Sequence, residues 1–504
     1  MNIRWKEWII IAGWILCSFM LLMPTLTGNM TTLLSAIVVM GFISLVIMDK
    51  CPAYLAFGIL APFGVSLWIV TQVPTIALVL LLCMIAISLR ATVQRHGVRY
   101  MGRLEPLAMI FFLYLLVRYA CDPVLPGYAI GVSNDITGFR SWFNCFINMI
   151  IFLCLGFAVT SLDDVQSLFR WLALFSLLFT IVFIGLMFAP GYELSAILKS
   201  MGIFVSTFSN GWRRFVFLPS MGTFLIMASL LPFLFHATSV QRRFYVVAGF
   251  AAIIAGGGRG SALFLLIIVG ITLMLKRRLW AMASLCSAVV GLAVMANAMI
   301  GQWSASTETP WVRVMGAFSP GLSTDIGAMG TMEWRYIRWN RAIEDIKQHP
   351  WVGMGYGGIK DYFGAVSDIT ETSPDLDVER DVAIGATHNG YISLARNMGI
   401  PITVLFVVIL IRRIRFHWRK ARQVGHPDVL GEANIFLCAY LAGLMGVMIV
   451  SGDIMSPTIW VFLTLSFVVE RLDSARNSSP SCCDLNKDGS VPVQIGVSPN
   501  ARFS

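Results

Sequence analysis

Long apolar runs fill most of the chain, and short polar segments join them. Runs of this length can cross the ~30 Å hydrocarbon core of a membrane as helices. They lie near residues 8–23, 30–48, 52–70, 73–89, 105–120, 142–160, 168–189, 215–236, 244–257, 261–275, 279–300, 400–411, 434–450 and 456–470. The pattern predicts an all-α polytopic membrane protein with about 12–14 transmembrane helices and one long, partly helical loop.

That loop is the polar stretch 302–398, which is too long to be an ordinary connection between helices. We therefore divide the chain into four parts. They are an N-terminal transmembrane bundle (1–300), a loop (301–398), C-terminal transmembrane helices (399–470) and a tail (471–504). The tail is polar, and we expect it to be disordered and cytoplasmic.

Composition also indicates a membrane protein. Of the 504 residues, 57% are hydrophobic and 13% are charged, whereas soluble domains carry about 25% charged residues. The net charge of +10 does not indicate nucleic-acid binding, because Lys and Arg accumulate in cytoplasmic loops and no nucleic-acid motif is present. The ten cysteines form no C-x-x-C spacing, which argues against a zinc site or a disulfide framework. The first apolar run lacks a clear signal-peptide cleavage site, so we expect a first transmembrane helix.

The distribution of basic residues predicts the orientation. If both termini are cytoplasmic, the basic clusters at 276–278 and 412–422 lie inside, as the positive-inside rule requires. This orientation needs 244–257 and 261–275 to form a hairpin rather than one long helix. It places the long loop in the periplasm and leaves few basic residues in the short outer loops. These are Arg118, Arg140, Lys199, Arg213, Arg214 and Arg259.

Three of these outer arginines are candidates for binding an anion. A basic side chain at the membrane edge can extend to lipid phosphates, or it can hold a phosphate-bearing substrate. Arg259 favours the second interpretation, because glycines on both sides allow a ligand to approach closely and a helix begins there. Arg213 and Arg214 lie just ahead of another predicted helix, and both interpretations stay open for them.

Within the long loop, residues 332–348 predict a helix with an apolar face. The face is formed by Trp339, Ala342, Ile343 and Ile346. Arg335 and Arg338 share another face, and Arg341 can pair with Asp345 at a spacing of four. Pro350 prevents the helix from continuing.

The residues after that helix predict a turn, an excursion and a second helix. The glycine cluster 353–358 lacks a preceding strand and a Lys-Ser/Thr pair, so we expect a flexible turn rather than a nucleotide site. Residues 366–382 are rich in Asp, Glu, Ser and Thr and predict a solvated excursion. Thr387 is then a candidate N-cap of a short surface helix. Its apolar stripe comprises Tyr391, Leu394, Ala395 and Met398 and ends at Gly399.

His388 stands at the start of that surface helix and is the candidate general base. A lone histidine is more often structural than catalytic, but an imidazole can abstract a proton near neutral pH. No second ligand stands at a metal-binding spacing, so we expect no metal. The sequence 484–489 begins like a calcium loop, but position twelve is Ile495 instead of Glu. Several arginines and one histidine on the outer side suit transfer of a sugar from a lipid pyrophosphate to a hydroxyl.

The order of these motifs resembles the O-antigen ligase and O-antigen polymerase superfamily over residues 205–415. The matching positions are Arg335, Trp339, Ala342, Ile346, His349, Pro350, Gly353, Gly355, His388, Asn389, Tyr391 and Gly399. Gly258-Arg259-Gly260 resembles the family's glycine/serine-arginine motif before the loop, with Gly258 where Ser is frequent. Residues 210–219 loosely resemble its other arginine-bearing outer loop.

The resemblance implies a metal-independent, inverting glycosyltransferase of the inner membrane that uses undecaprenyl-pyrophosphate-linked glycan and no cofactor. His388 would activate the acceptor hydroxyl. Arg259, with Arg213 or Arg214, would hold the pyrophosphate. Arg335, Arg338 and Asn389 would orient the loop or contact the donor.

Other functions remain open from the sequence. Lipopolysaccharide core, a growing polysaccharide or exopolysaccharide, and a protein serine are all possible acceptors. A transporter or flippase for lipid-linked glycans is the main non-enzymatic alternative, although the predicted helix interiors carry little charge. A structural scaffold would explain the size of the loop but not its arginines and histidine.

Overall fold

A computed structural model provides the coordinates of the chain. It describes residues 51–61, 64–67, 70–74, 78–79, 105–124, 139–188, 198, 205–207, 213–300, 310–319, 330–356, 382, 387–423, 428–449 and 456–478. The predicted spans 8–23 and 30–48, most of 73–89, and the excursion 366–382 except Val382 lie outside these ranges, as does Lys199.

The described part of the chain is helical apart from two small hairpins. Its first elements are α1 (Cys51–Leu60), β1 (Gly64–Leu67), β2 (Val70–Pro74), α2 (Pro106–Cys121), α3 (Phe139–Ala158), α4 (Leu162–Met187), β3 (Val205–Thr207), β4 (Arg213–Phe215), α5 (Leu218–Leu230), α6 (Pro232–Phe235) and α7 (Ser239–Gly256). There follow α8 (Arg259–Leu275), α9 (Leu279–Ala298), α10 (Pro310–Met315), α11 (Gly330–Gln348), α12 (Gly390–Met398), α13 (Ile400–Gln423), α14 (Val429–Val447) and α15 (Pro457–Ser478).

Several of these helices have the length and composition of membrane spans. Within the described residues, α4, α9 and α14 meet both requirements. Shorter apolar helices are α2, the part Phe139–Leu153 of α3, α5 and α8. The prediction of an all-α polytopic membrane protein is therefore confirmed. The number of crossings stays a prediction.

The sequence predicted one membrane helix over the run 52–70, and this prediction is wrong. Helix α1 ends at Leu60, and β1 and β2 form an antiparallel hairpin, with Val65 opposite Val73. Pro62 lacks the N–H that a continuing helix needs, and β-branched residues such as Val65 and Val70 favour strands. An apolar run alone does not distinguish a buried strand from a helix.

The run 215–236 is also interrupted. Helix α5 ends at Leu230, and α6 begins at Pro232, whose ring prevents continuous helical hydrogen bonding. Before α5, strands β3 and β4 pair antiparallel, with Ser206 opposite Arg214. The arginine pair therefore lies in a strand rather than in an irregular loop.

The runs 244–257 and 261–275 form the predicted hairpin, as α7 and α8. Gly257 separates the two helices in the left-handed conformation, with φ of 57°. At the far ends of the hairpin, Arg242 donates to the carbonyl oxygen of Ser229 at 3.0 Å, and Lys276 donates to that of Leu230 at 2.6 Å. Both basic ends consequently lie at one end of α5, which is the arrangement that the charge pattern required.

Two helices continue past the ends of their predicted spans. Helix α13 runs to Gln423 and α15 to Ser478, so part of a predicted loop and the first residues of the predicted tail are helical. Ion pairs join them there: Arg413 with Glu470, and Lys420 with Asp473 at 2.6 Å. These pairs between two helices lie beyond residue 411, where the predicted apolar run ends.

Candidate functional site

Helix α11 is the loop helix that the sequence predicted, and it carries two of the candidate arginines. It ends at Gln348, just before Pro350. The guanidinium of Arg338 lies 5.9 Å from the centre of the Trp334 ring. Burial lowers the pKa of the half-buried Arg335, and the nearby charge of Arg338 lowers it further. Two neighbouring cations favour an anionic ligand, because an anion relieves their mutual repulsion.

The predicted pairing of Arg341 with Asp345 is wrong. Arg341 pairs with Glu344 at 3.4 Å on the exposed side of α11. Asp345 is buried and accepts a hydrogen bond from Arg396 of α12 at 2.9 Å. The buried face of α11 therefore includes a carboxylate, which periodicity of apolar residues does not reveal.

Helix α12 begins two residues later than predicted, and its cap is Asn389 rather than Thr387. The Asn389 side chain accepts from the backbone amides of Tyr391 and Ile392. Its amide nitrogen donates to the carbonyl oxygen of Ile449 at 2.8 Å, which attaches the start of α12 to the segment after α14. Asn389 thus ties the start of α12 to the segment after α14, and its expected role in orienting the loop or contacting the donor stays a prediction.

His388 is exposed and lies immediately before this cap. Its φ of 57° places it in the left-handed region, which few residues other than glycine occupy. The preceding carbonyl oxygen, of Thr387, accepts a hydrogen bond from the Trp339 indole at 2.8 Å. On the other side, the amide of Gly390 donates to the carbonyl oxygen of Met448 at 2.9 Å. The backbone around His388 is therefore held from both α11 and α14.

The turn after α11 is described as far as Tyr356, and backbone hydrogen bonds attach this part to α12. The amides of Met354 and Gly355 donate to the carbonyl oxygens of Arg396 and Asn397 at 2.7 and 2.9 Å. Gly353 and Gly355 have φ of 70° and 79°, which glycine adopts at little cost. These backbone bonds attach the C-terminal end of α12 to the turn.

Arg214 is bonded to the corner of the bundle at which α8 begins with Arg259. Arg259 is the first residue of α8 and is half-buried, and Gly258 precedes it. Arg214 donates from Nε to the carbonyl oxygen of Gly256 at 2.7 Å. Because a helix begins at Arg259, its first backbone amides add to the positive potential of this corner. Arg213 lies opposite Thr207 in the β3–β4 hairpin.

Packing of α8 on α14 brings this corner and His388 to the same end of the molecule. A Cβ at Gly443 would lie 2.8 Å from the Ile268 side chain, so α8 and α14 are in close contact. Lys276 pairs with Glu432 at the opposite end of the same two helices, at 2.7 Å. Arg259 begins α8, and α14 ends next to Met448, to which Gly390 is bonded.

Sequence reasoning missed three side chains that hold α12 in place. The hydroxyl of Tyr391 donates to the carbonyl oxygen of Met445 at 2.8 Å, and burial raises the pKa of this tyrosine to about 12. Tyr114 of α2 donates to the carbonyl oxygen of Met398 at 2.9 Å. Arg396 forms the ion pair with Asp345. The apolar stripe of α12 indicated which face is buried, but not these long-range bonds.

Among the residues that the structure describes, no group of three or more His, Cys, Asp or Glu side chains lies close enough together to hold a metal ion. The absence of a metal from the reaction therefore stays an expectation from the sequence.

Comparison with known proteins gives one family. Residues 244–407 match the family model described as O-antigen ligase. The match runs from α7 into α13 and includes Arg259, Arg335, Arg338 and His388, whereas Arg213 and Arg214 precede it. The search of curated proteins found no match.

Proposed function

We propose that this protein, a membrane glycan transferase of the O-antigen ligase/polymerase type by its residues 244–407, transfers glycan from undecaprenyl pyrophosphate to a hydroxyl acceptor. The reaction takes place on the outer face of the inner membrane. The acceptor is lipopolysaccharide core or a growing polysaccharide. Both termini lie in the cytoplasm, so the long loop faces the periplasm, as the distribution of basic residues favours.

The arrangement that carries this proposal is the common end of the bundle shared by His388 and the Arg259 corner. Arg259 begins α8 beside Gly256, to which Arg214 is bonded. Gly390, two residues after His388, is bonded to Met448 beyond the end of α14. A base and a cationic corner on one surface are the groups that transfer from a pyrophosphate requires.

The arginines bind and stabilise the leaving group. Arg259, together with Arg214 or Arg213, holds the pyrophosphate of the donor, since a guanidinium matches phosphate oxygens with two parallel hydrogen bonds. As the bond between the sugar and the pyrophosphate breaks, negative charge grows on the departing oxygen, and these cations offset it. Arg335 and Arg338 contact the glycan donor from α11.

His388 activates the acceptor. Its imidazole takes the proton of the acceptor hydroxyl, and the hydroxyl oxygen attacks the anomeric carbon of the donor. The bond from that carbon to the pyrophosphate oxygen breaks, and the electron pair leaves with the lipid pyrophosphate. Attack from the face opposite the leaving group inverts the configuration at the anomeric carbon. The bound charges are offset by arginine, so this mechanism requires no metal.

The test uses full-length protein in proteoliposomes with undecaprenyl-pyrophosphate-linked glycan and separate acceptors. The acceptors are lipopolysaccharide core, the glycan itself and a serine-containing protein. His388→Ala should lower transfer at least about 100-fold, the usual contribution of a general base. His426→Ala, in a predicted inner loop, is the matched control and should keep wild-type activity.

Three results would contradict the proposal. Full transfer activity in a folded His388→Ala protein would show that His388 is not the general base. Movement of intact lipid-linked glycan across the membrane without transfer would indicate a flippase. Transfer only to the serine-containing protein would identify a protein O-oligosaccharyltransferase.

A further inference from the structure

A buried ion pair joins the two helices of the loop. Nε of Arg396 in α12 lies 2.9 Å from Oδ2 of Asp345 in α11, and the two side chains are 5% and 10% exposed. The same guanidinium donates from Nη1 to the Asn397 side-chain oxygen at 2.8 Å. Burial lowers the pKa of Arg396, while the hydrogen bond to Asp345 and its charge raise it.

Stability alone does not explain such a pair. Removing two charges from water costs several kcal/mol per ion, and apolar residues of similar volume often serve a folded protein as well. Charged groups buried together are better suited to fixing one arrangement of two elements, because a shifted arrangement leaves each charge uncompensated. The ion pair therefore indicates a place where relative position matters.

Its location in the loop shows what it positions. The indole nitrogen of Trp339 in α11 donates a hydrogen bond to the carbonyl oxygen of Thr387, next to His388, at 2.8 Å. Further along α11 and α12, Asp345 forms the ion pair with Arg396. Ala342, between the two contacts, forms a buried cluster with Val382, and Ile392 of α12 packs against that cluster. Helix α11 thus grips α12 near both of its ends and sets the direction of the helix that begins beside His388.

The turn after α11 adds further bonds to the C-terminal end of α12. Arg396 and Asn397 accept backbone hydrogen bonds from the turn after α11, and Nη1 of Arg396 reaches the Gly355 carbonyl oxygen at 3.4 Å. Gly399 has φ of 88°, and a Cβ there would lie 2.2 Å from the Trp351 carbonyl oxygen. Asp345 and Arg396 bring opposite charges to this junction between α11 and α12, and the guanidinium of Arg118 lies 3.0 Å from the position of a Cβ at Gly355.

We propose that Arg396 and Asp345 are positioning residues, which set the orientation of α12 and thereby place His388 relative to the arginines of α11. This inference rests on the proposed function, in which His388 acts on the acceptor while Arg335 and Arg338 hold the donor. Neither Asp345 nor Arg396 touches the reacting atoms. Their substitution slows the chemical step and leaves donor binding nearly intact.

The test compares two neighbouring carboxylates of α11 in full-length protein in lipid nanodiscs. Asp345→Asn removes the buried charge. Glu344→Gln, the matched control, removes the exposed charge that pairs with Arg341. Asp345→Asn should lower kcat at least about tenfold and change KM for the donor less than about threefold, since small misplacements of reacting groups are costly. Glu344→Gln should change neither constant.

A second measurement reports on position without using activity. Hydrogen–deuterium exchange at the amides of α12 should become at least about tenfold faster in Asp345→Asn, while exchange in α14 stays at the wild-type rate. If the wild-type protein shows no transfer at all, the proposed function fails, and this exchange measurement alone decides the role of the pair.

A double variant keeps the proposal testable if the single variant folds poorly. Asp345→Asn/Arg396→Gln removes both charges and leaves no uncompensated ion, so it should fold and insert like the wild type. We expect its kcat to remain lowered and exchange in α12 to remain fast. Wild-type kcat and exchange in the double variant would overturn the proposal. So would a lower melting temperature with unchanged kcat per folded molecule, which indicates a purely stabilising pair.

Discussion

Nε of Arg214 donates a hydrogen bond to the carbonyl oxygen of Gly256 at 2.7 Å. This contact links the β3–β4 hairpin to the corner between α7 and α8, three residues before Arg259. One arginine therefore both braces the corner and adds charge to it.

Arg259→Lys tests whether the corner binds phosphate with two hydrogen bonds. Lysine keeps the charge but presents a point cation instead of a planar fork, so a phosphate contact made by two nitrogens is lost. We expect transfer to fall at least about tenfold, equivalent to about 1.4 kcal/mol. Steady-state transfer from the lipid pyrophosphate donor measures it. Wild-type rates in Arg259→Lys would mean that this side chain only extends to lipid phosphates.

Arg214→Lys and Arg213→Lys, assayed side by side, decide which of the pair serves the site. Arg214→Lys loses the bond to Gly256 as well as the fork, so its transfer should fall more than that of Arg213→Lys. A larger loss in Arg213→Lys would assign the pyrophosphate contact to Arg213 instead.

Asn389→Ala should destabilise α12 without disturbing the membrane helices. It removes an N-cap, worth about 1 kcal/mol, and also the bond to Ile449. Faster hydrogen exchange at the first amides of α12 is the expected result. Asn340→Ala, an exposed asparagine in the interior of α11, is the control. Equal exchange in both variants and the wild type would contradict the capping role.

Gly399→Ala should be strongly destabilising. The new Cβ would lie 2.2 Å from the Trp351 carbonyl oxygen, and φ of 88° is unfavourable for alanine. We expect a loss of more than about 2 kcal/mol in the free energy of unfolding, or failure to fold. Gly291→Ala in α9 is the control, because nothing lies within 4 Å of its Cβ position. A melting temperature of Gly399→Ala equal to that of the control would show that the turn can relax.

Cysteine labelling tests the orientation. In a cysteine-free background, Asp375→Cys in the long loop should react with a membrane-impermeant maleimide on intact cells. Gln423→Cys, at the end of α13, should react only after lysis, because the basic cluster beside it predicts the inner side. The reverse pattern would place the loop in the cytoplasm and exclude transfer on the outer face.

The sequence predicted those elements that depend on local signals. Pro350 determined where α11 ends, and the stripe ending at Gly399 located α12. The α7–α8 hairpin followed from charge, because only that arrangement puts Arg242 and Lys276 at one end.

Features that depend on distant partners could not be predicted. The spacing of four predicted that Asp345 pairs with Arg341. In the structure Asp345 pairs instead with Arg396, a residue that is distant in the sequence. The β1–β2 hairpin was missed because its residues are as apolar as those of a helix. The apolar run also did not predict that α13 extends past Arg413, which forms an ion pair with Glu470 of α15.

The hydrogen-bonded turn at Gly353 and Gly355 has a consequence for the length of the loop that follows it. Tyr356 packs edge-on against Trp142, and Val382 is buried beside Ala342. The chain between them thus starts and ends on firm anchors, and lengthening it costs little, since closure entropy grows only with the logarithm of loop length. We therefore expect insertions and deletions within residues 357–381 to leave the backbone around His388 in place.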